Sequence, residues 1–236
     1  MLYLVSTPIG HPDDITLRAL RVLREANAVI CEEPREGARL LRHYQILNEI
    51  IDLNEHTERA RVPELIARLR GGQTLALISD HGTPLLNDPG GRLVQSALAE
   101  NIPVSAVPGA SALLAALVVS GLPLERFRFV GFLPAKKEER RAALAKLRAE
   151  RETWVIFDAP YRLRAVLADL RAALEPDRQV VVACNLTMPD ENIVRGKMSQ
   201  VFNHFEKNPF KGEYVILLAG KDSSKFQIQN SRTNCE

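Results

Sequence analysis

The chain has 236 residues, of which 46% are hydrophobic and 25% charged, so it has enough apolar side chains for one large or two small globular domains. This composition excludes a disordered, collagen-like or coiled-coil chain. No apolar run reaches the roughly 20 residues that cross a membrane, and the N-terminus lacks the basic lead of a signal peptide. The three cysteines, Cys31, Cys184 and Cys235, are too far apart for a disulfide framework, so we expect a cytoplasmic protein without membrane contact.

The net charge of +2 is unevenly distributed along the chain. Residues 1–123 hold 11 arginines against 14 acidic residues, whereas residues 124–236 hold 20 basic residues against 15 acidic ones. Residues 126–151 alone hold nine basic and three acidic residues. Such a run is typical of a surface that faces phosphate, or of the solvated face of a helix, and composition leaves both interpretations open.

Short β-rich runs alternate with helical patterns in the first half of the chain. The predicted strands are 2–6, 28–31, 50–53, 74–79 and 103–107. The predicted helices are 17–26 with Thr16 as N-cap, about 35–44, a third from near Thr57 to Gly71, and 112–121. This alternation predicts an α/β domain with a largely parallel sheet.

A second set of elements follows the interruption at residues 121–126. The predicted strands are 127–132 (or a linking segment), 153–157, 179–184 and 213–220. The predicted helices are a charged one opening near 133–140, then about 161–174 and 198–206. We therefore predict two α/β domains, 1–123 and 124–222, followed by a mobile tail at 223–236.

Three loops of glycine, proline and small polar residues each follow a predicted strand. They are residues 6–10, 79–90 and 107–112. Because ligands of open α/β sheets bind at the carboxyl ends of strands, these loops predict a ligand cleft. The chain has no phosphate-binding loop, dinucleotide fingerprint or nucleophile elbow. Its histidines and cysteines show no metal-ligand spacing, so no metal is expected.

Six motifs, in order between about residues 2 and 220, resemble the tetrapyrrole methylase superfamily: TPIGHPDDITLRAL, CEEPREGARLL, SDHGTPLLNDPGGRLV, PGASALLAALVVSGLP, GFLPAKKEERR and GEYVILLAG. They are most similar to the branch that methylates a cytidine ribose 2′-hydroxyl in small-subunit ribosomal RNA. The resemblance implies a two-domain methyltransferase that holds S-adenosylmethionine in a cleft between its domains. It also implies a homodimer with RNA as its partner.

The resemblance further implies which residues contact the cofactor. In the first domain these are Pro8, Asp80, His81, Gly82, Pro84, Ser111 and Ala112. In the second domain they are Phe132, the segment from Ala183 to Leu186, and Gly212. The residues themselves indicate only that such loops suit a closely held polar ligand.

A hydroxyl acceptor benefits from a base or a polarising group. The candidates for this role are Glu32, Glu33 and Arg35, with Asp80 and His11 behind them. Structural roles stay open for the same residues: an ion pair between Glu33 and Arg35, a loop anchor at Asp80, and a surface position for His11.

The acceptor side departs from the family pattern more than the cofactor loops do. Glu-Pro replaces Asp-Thr at 33–34, histidine replaces alanine at 81, Asp-Ala-Pro-Tyr-Arg replaces Glu-Ser-Pro-His-Arg at 158–162, and Cys-Asn-Leu-Thr-Met replaces Arg-Glu-Leu-Thr-Lys at 184–188. We also expect the chain to lack the small C-terminal helical extension of members that act on the ribosome. Two alternatives therefore stay open: a methyltransferase with a small-molecule acceptor, and a non-catalytic, cofactor-binding regulatory protein.

Overall fold

A computed structural model describes residues 1–221, which form two compact units, 1–111 and the residues from Ala112 onward. Each unit contains one five-stranded sheet, and the predicted α/β class is confirmed. The domain boundary at 123/124 stays a prediction, and the predicted mobile tail lies outside the described residues. None of the helices formed by residues 1–221 has the length and apolar character of a membrane span.

The first unit is a wholly parallel sheet in the strand order β3-β2-β4-β1-β5. Its strands are β1 (Leu2–Val5), β2 (Ala28–Cys31), β3 (Ile50–Asp52), β4 (Leu75–Ile78) and β5 (Val104–Val107). Its helices are α1 (Leu17–Glu25), α2 (Pro34–His43), α3 (Glu58–Arg70) and α4 (Gly91–Ala99). The predicted strands and the parallel pairing are confirmed, whereas α4 was missed.

Alternate residues of each strand in the first unit pack on opposite faces of the sheet. In β4, Leu75 and Leu77 join one apolar cluster, while Ala76 and Ile78 join the other. A parallel sheet covered on both faces requires such continuous apolar strands. The side chain of Thr16 accepts a hydrogen bond from the Ala19 N–H at 3.1 Å, which confirms the predicted N-cap of α1.

The second unit contains a mixed sheet in the strand order β6-β7-β10-β8-β9. Its strands are β6 (Phe127–Phe132), β7 (Thr153–Phe157), β8 (Gln179–Cys184), β9 (Asn192–Lys197) and β10 (Tyr214–Leu218). Its helices are α5 (Ala112–Ser120), α6 (Lys137–Leu147), α7 (Leu163–Ala173) and α8 (Met198–Lys207). Only β6 and β7 are parallel, and α5 contacts β10 and β8.

A buried ion pair joins α6 to α7. The Arg140 side chain is 7% exposed, and its Nη2 lies 2.6 Å from Oδ2 of Asp169, which is 4% exposed. Arg140 Nη1 also donates to the carbonyl oxygens of Pro134 and Ala135, and Arg141 contacts the other carboxylate oxygen of Asp169 at 3.1 Å. Within the basic run 126–151, Arg140 is therefore a structural residue and does not belong to a surface that faces phosphate.

We predict that Asp169→Ala destabilises the second unit by about 3–5 kcal/mol, because the substitution leaves the Arg140 guanidinium buried without its counter-charge. Glu139→Gln is the matched control. Glu139 lies on the same helix, its pair with Lys136 is exposed, and its loss costs at most about 1 kcal/mol. Urea unfolding followed by the fluorescence of Trp154, the single tryptophan, which is buried in β7, measures both variants. Equal unfolding midpoints for the two variants would contradict the prediction.

Candidate functional site

The buried hydroxyl of Thr7 joins the loops that follow β1 and β4. It donates to the carbonyl oxygen of Ser79 at 3.0 Å and accepts from the Gly82 N–H at 3.1 Å. The Thr7 N–H donates in turn to the carbonyl oxygen of Gly82 at 2.9 Å. Because β1 and β4 are parallel neighbours, their carboxyl ends lie at one edge of the sheet, and Thr7 fixes the two loops against each other there.

The loop after β5 contacts the same pair of loops. Thr83 Oγ1 donates to the carbonyl oxygen of Ala110 at 3.1 Å and lies 3.1 Å from the hydroxyl oxygen of Ser6. A Cβ atom added at Gly109 would lie 3.0 Å from Cβ of Ser6, so glycine permits this close approach. The structure therefore brings together the three loops that the sequence singled out. These loops contain the candidate cofactor residues Pro8, Asp80, His81, Gly82, Pro84 and Ser111.

The segment 79–90 has an unusual backbone. Gly82, Leu85, Asn87 and Gly90 all have positive φ angles, of 85°, 74°, 70° and 112°. Left-handed geometry is uncommon for a side chain such as leucine and persists where surrounding contacts hold it. One such contact is the Glu58 carboxylate, which accepts from the Gly90 N–H at 3.0 Å.

Three carboxyl groups beside these loops interact electrostatically: Glu32, Asp80 and Asp88. Burial, together with the Asp88 charge, raises the pKa of Asp80, while a hydrogen bond from the Glu33 N–H opposes the rise. Burial also raises the pKa of Asp88. The pKa of Glu32 is raised because the surrounding protein partly desolvates its carboxylate, and the negative charges of Asp88 and Asp80 add to this rise. One oxygen of Asp80, Oδ1, is buried without a hydrogen-bond partner among the described residues. The edge therefore offers acceptor groups that bind protons more readily than ordinary carboxylates do.

The predicted catalytic residues have different surroundings. Glu33 is the N-cap of α2, and its side chain accepts from the Arg35 N–H at 3.4 Å. His11 caps a short turn by accepting from the Asp13 N–H. Glu32 instead lies near the Asp80 and Asp88 charges. Of Glu32, Glu33 and Arg35, Glu32 is thus the one whose pKa partial desolvation and the neighbouring carboxylates raise, and a catalytic role stays a prediction for all three.

The second-unit candidates gather at one edge of their own sheet. Since β10 is antiparallel to β7 and β8, Gly212 before β10 lies at the edge where β6 ends in Phe132 and β8 ends beside Ala183. The Asn185 N–H donates to the carbonyl oxygen of Glu213 at 2.8 Å, linking the two sides. The Phe132 side chain is 51% exposed. This edge therefore presents an aromatic ring and closely packed backbone.

A second buried carboxylate fixes the loop that follows Phe132. Asp158 lies 3.1 Å from Nε of Arg162, whose Nη2 donates to the carbonyl oxygens of Leu133 and Pro134 at 3.2 and 2.9 Å. Burial raises the pKa of Asp158, although the neighbouring Ala159 N–H and Arg162 oppose the rise. These contacts order the backbone directly after Phe132, the last residue of β6.

Sequence reasoning missed Thr7 and Asp88 as parts of the site. Both are polar residues inside the glycine- and proline-rich loops that follow β1 and β4. That combination was the available signal, but the sequence alone does not show that Thr7 bonds across to Gly82, 75 residues away.

We predict that Thr7→Val destabilises the first unit by about 1–3 kcal/mol, because the buried Gly82 N–H loses its acceptor. Hydrogen exchange at the Gly82 amide should accelerate by the corresponding factor. Thr74→Val, just before β4 and outside the loops, is the matched control. Unchanged exchange at Gly82 in the Thr7 variant would show that the hydroxyl does not hold the junction.

A pH-dependent effect is predicted for Asp88→Asn. Because the folded pKa of Asp88 is raised, the folded protein binds more protons than the unfolded chain above the ordinary aspartate value of about 3.9. This carboxyl group therefore lowers stability as pH rises through that window. The melting temperature of the asparagine variant, relative to that of the native protein, should therefore increase between pH 4 and pH 8. A difference that does not vary with pH would contradict the prediction.

Comparison with known proteins identifies the family. The family model of the Tetrapyrrole (Corrin/Porphyrin) Methylases matches residues 1–201. A relative from Micromonospora olivasterospora, named ribosomal RNA small subunit methyltransferase I, is 44% identical and covers 93% of this chain and 70% of its own length. The protein of the same name from Thermotoga maritima is 40% identical and covers 94% of this chain and 99% of its own.

A solved structure shows the same fold. Uroporphyrin-III C-methyl transferase from Thermus thermophilus, complexed with S-adenyl homocysteine, superposes with a TM-score of 0.61 at 22% identity. The match covers 92% of this chain and 96% of that one. The prediction of a methyltransferase is confirmed, and the chain belongs to the tetrapyrrole methylase family.

Proposed function

We infer that this protein transfers the methyl group of S-adenosylmethionine to RNA of the small ribosomal subunit, with a ribose 2′-hydroxyl as the acceptor. The observation that carries the proposal is the junction of three loops at the carboxyl edge of a parallel sheet, in a chain 44% identical to a relative named ribosomal RNA small subunit methyltransferase I. The names of the relatives favour RNA over the small-molecule alternative. We further propose that the enzyme is a cytoplasmic homodimer, as the family resemblance implies.

The first unit's loops fit a polar ligand such as this cofactor. Gly82 and Gly109 let the three loops pack closely against one another. The unpartnered Oδ1 of Asp80 is an acceptor for a ligand hydroxyl or amino group. In the proposal, the cofactor is bound by Pro8, Asp80, His81, Gly82, Pro84 and Ser111 of the first unit. Ala112, the first residue of the second unit, is proposed for the same role. The second-unit candidates Phe132, Ala183, Leu186 and Gly212 are proposed for the same role.

The cofactor supplies an activated methyl group, so the protein's main task is alignment. Holding acceptor and donor in line contributes up to about 7–11 kcal/mol to catalysis. In the proposal, Thr7 keeps the loop after β4 in place for this alignment, and the Glu32 carboxylate accepts the proton of the attacking hydroxyl. The raised pKa of Glu32 brings its proton affinity closer to neutral pH, which suits a general base.

Two measurements test the proposal on the purified native protein. Titration calorimetry should show S-adenosylmethionine binding, and cofactor at 100 times its Kd should stabilise the protein by about 2.7 kcal/mol. Labelled methyl groups should appear in the RNA of unmethylated small ribosomal subunits and not in a metabolite extract. Transfer only to the metabolites would overturn the RNA acceptor, and absence of cofactor binding would overturn the methyltransferase mechanism.

The same assay tests the base. Glu32→Gln should lower kcat by about 10²–10⁴-fold while leaving the cofactor Kd unchanged, because the amide cannot accept the proton. Glu25→Gln, on an exposed position of α1, is the matched control and should retain native activity. Native kcat in the Glu32 variant would remove Glu32 from the mechanism without affecting the acceptor assignment.

A further inference from the structure

The second unit has a groove of about 460 Å³ between the start of α7 and the end of α8. Aromatic rings form much of its wall. Tyr161, in the turn before α7, is 86% exposed, and Phe205 and Phe210 pack edge to face with ring centroids 6.4 Å apart. A volume of this size accommodates a small aromatic group with its substituents.

The charged side chains that line the groove carry a net positive charge. Arg164 and Glu206 also line it, and they form a two-point ion pair with N–O distances of 2.7 and 3.0 Å, so their charges cancel. Lys211 is exposed at the end of the groove and adds one positive charge. An exposed aromatic ring with a nearby ammonium group fits a nucleotide, whose base stacks while its phosphate meets the cation.

The groove borders the edge that holds the second-unit candidate residues. Lys211 directly precedes Gly212, and a Cβ atom added at Gly212 would lie 2.7 Å from Cζ of Phe210. The ring of Phe210, which lines the groove, therefore lies against the backbone of Gly212, a proposed cofactor residue. A nucleotide in this groove would lie next to that edge of the unit.

We propose that this groove binds an unpaired nucleobase of the RNA substrate, stacked on Tyr161, with the adjoining phosphate at Lys211. The inference rests on the proposed function, since it assigns a contact for that RNA. It adds a specificity site formed by residues that neither the loop motifs nor the basic run includes.

Binding of a fluorescein-labelled, unstructured oligouridylate, measured by anisotropy at fixed salt, tests the proposal. Tyr161→Ala should weaken binding by about 5- to 150-fold, the range for loss of one base–aromatic stack, whereas Tyr161→Phe should bind as the native protein does. Leu17→Ala, which truncates an equally exposed (86%) side chain of the first unit, is the matched control and should leave affinity unchanged. A strand with abasic sites should bind the native protein and the Tyr161→Ala variant equally.

Three results would overturn the proposed base-binding site. They are native affinity in Tyr161→Ala, equal binding of abasic and normal strands by the native protein, and no binding of the oligouridylate at all. The first two would show that no base stacks on Tyr161. Cofactor binding and methyl transfer to ribosomal subunits, measured on the same preparations, keep this outcome separate from failure of the proposed function. The exposed position of Tyr161 makes a folding defect an inadequate explanation, and an unchanged melting temperature of Tyr161→Ala verifies this.

Discussion

The first unit's candidate site depends on one hydroxyl group. Thr7 bonds to both ends of the turn formed by Ser79 and Gly82, and Thr83 then reaches the loop after β5. These bonds form because β1 lies between β4 and β5 in the sheet, with the three strands ending in register. Sheet order thus brings distant segments together, and a few short side chains convert that proximity into a fixed loop geometry that a flexible ligand requires.

The second unit obtains order at its corresponding edge through buried charge. Arg140 and Arg162 approach the segment 133–135 from different elements, and both donate to the carbonyl oxygen of Pro134. Asp169 and Asp158 balance their charges. The carbonyl groups of this irregular segment have no neighbouring strand to donate hydrogen bonds to them, so the guanidinium groups of the two arginines donate instead. Part of the basic character of 126–151 therefore belongs to folding, and the remainder is exposed on the surface.

Much of the fold was predictable because buried parallel strands have continuous apolar runs. The missed helix α4 begins at Gly91, directly after Gly90, which has a left-handed φ. Two adjacent glycines are typical of a turn, so the sequence did not indicate a helix start here. The missed strand β9 has the sequence NIVRGK, whose polar residues hide its alternation. The positions of the site loops were predictable because each loop follows a predicted strand. The burial of Arg140 was not predictable, since its partner Asp169 lies 29 residues away on another helix.

The two buried cysteines give each unit its own chemical reporter. Cys31 ends β2 in the first unit and Cys184 ends β8 in the second, and burial is the main cause that raises the pKa of each thiol to about 12. A thiol in that state does not react with an alkylating reagent until its strand opens to solvent. The rate at which each cysteine is trapped therefore measures how often that half of the molecule opens. Ligands that tighten one half alone can then be distinguished from those that tighten both.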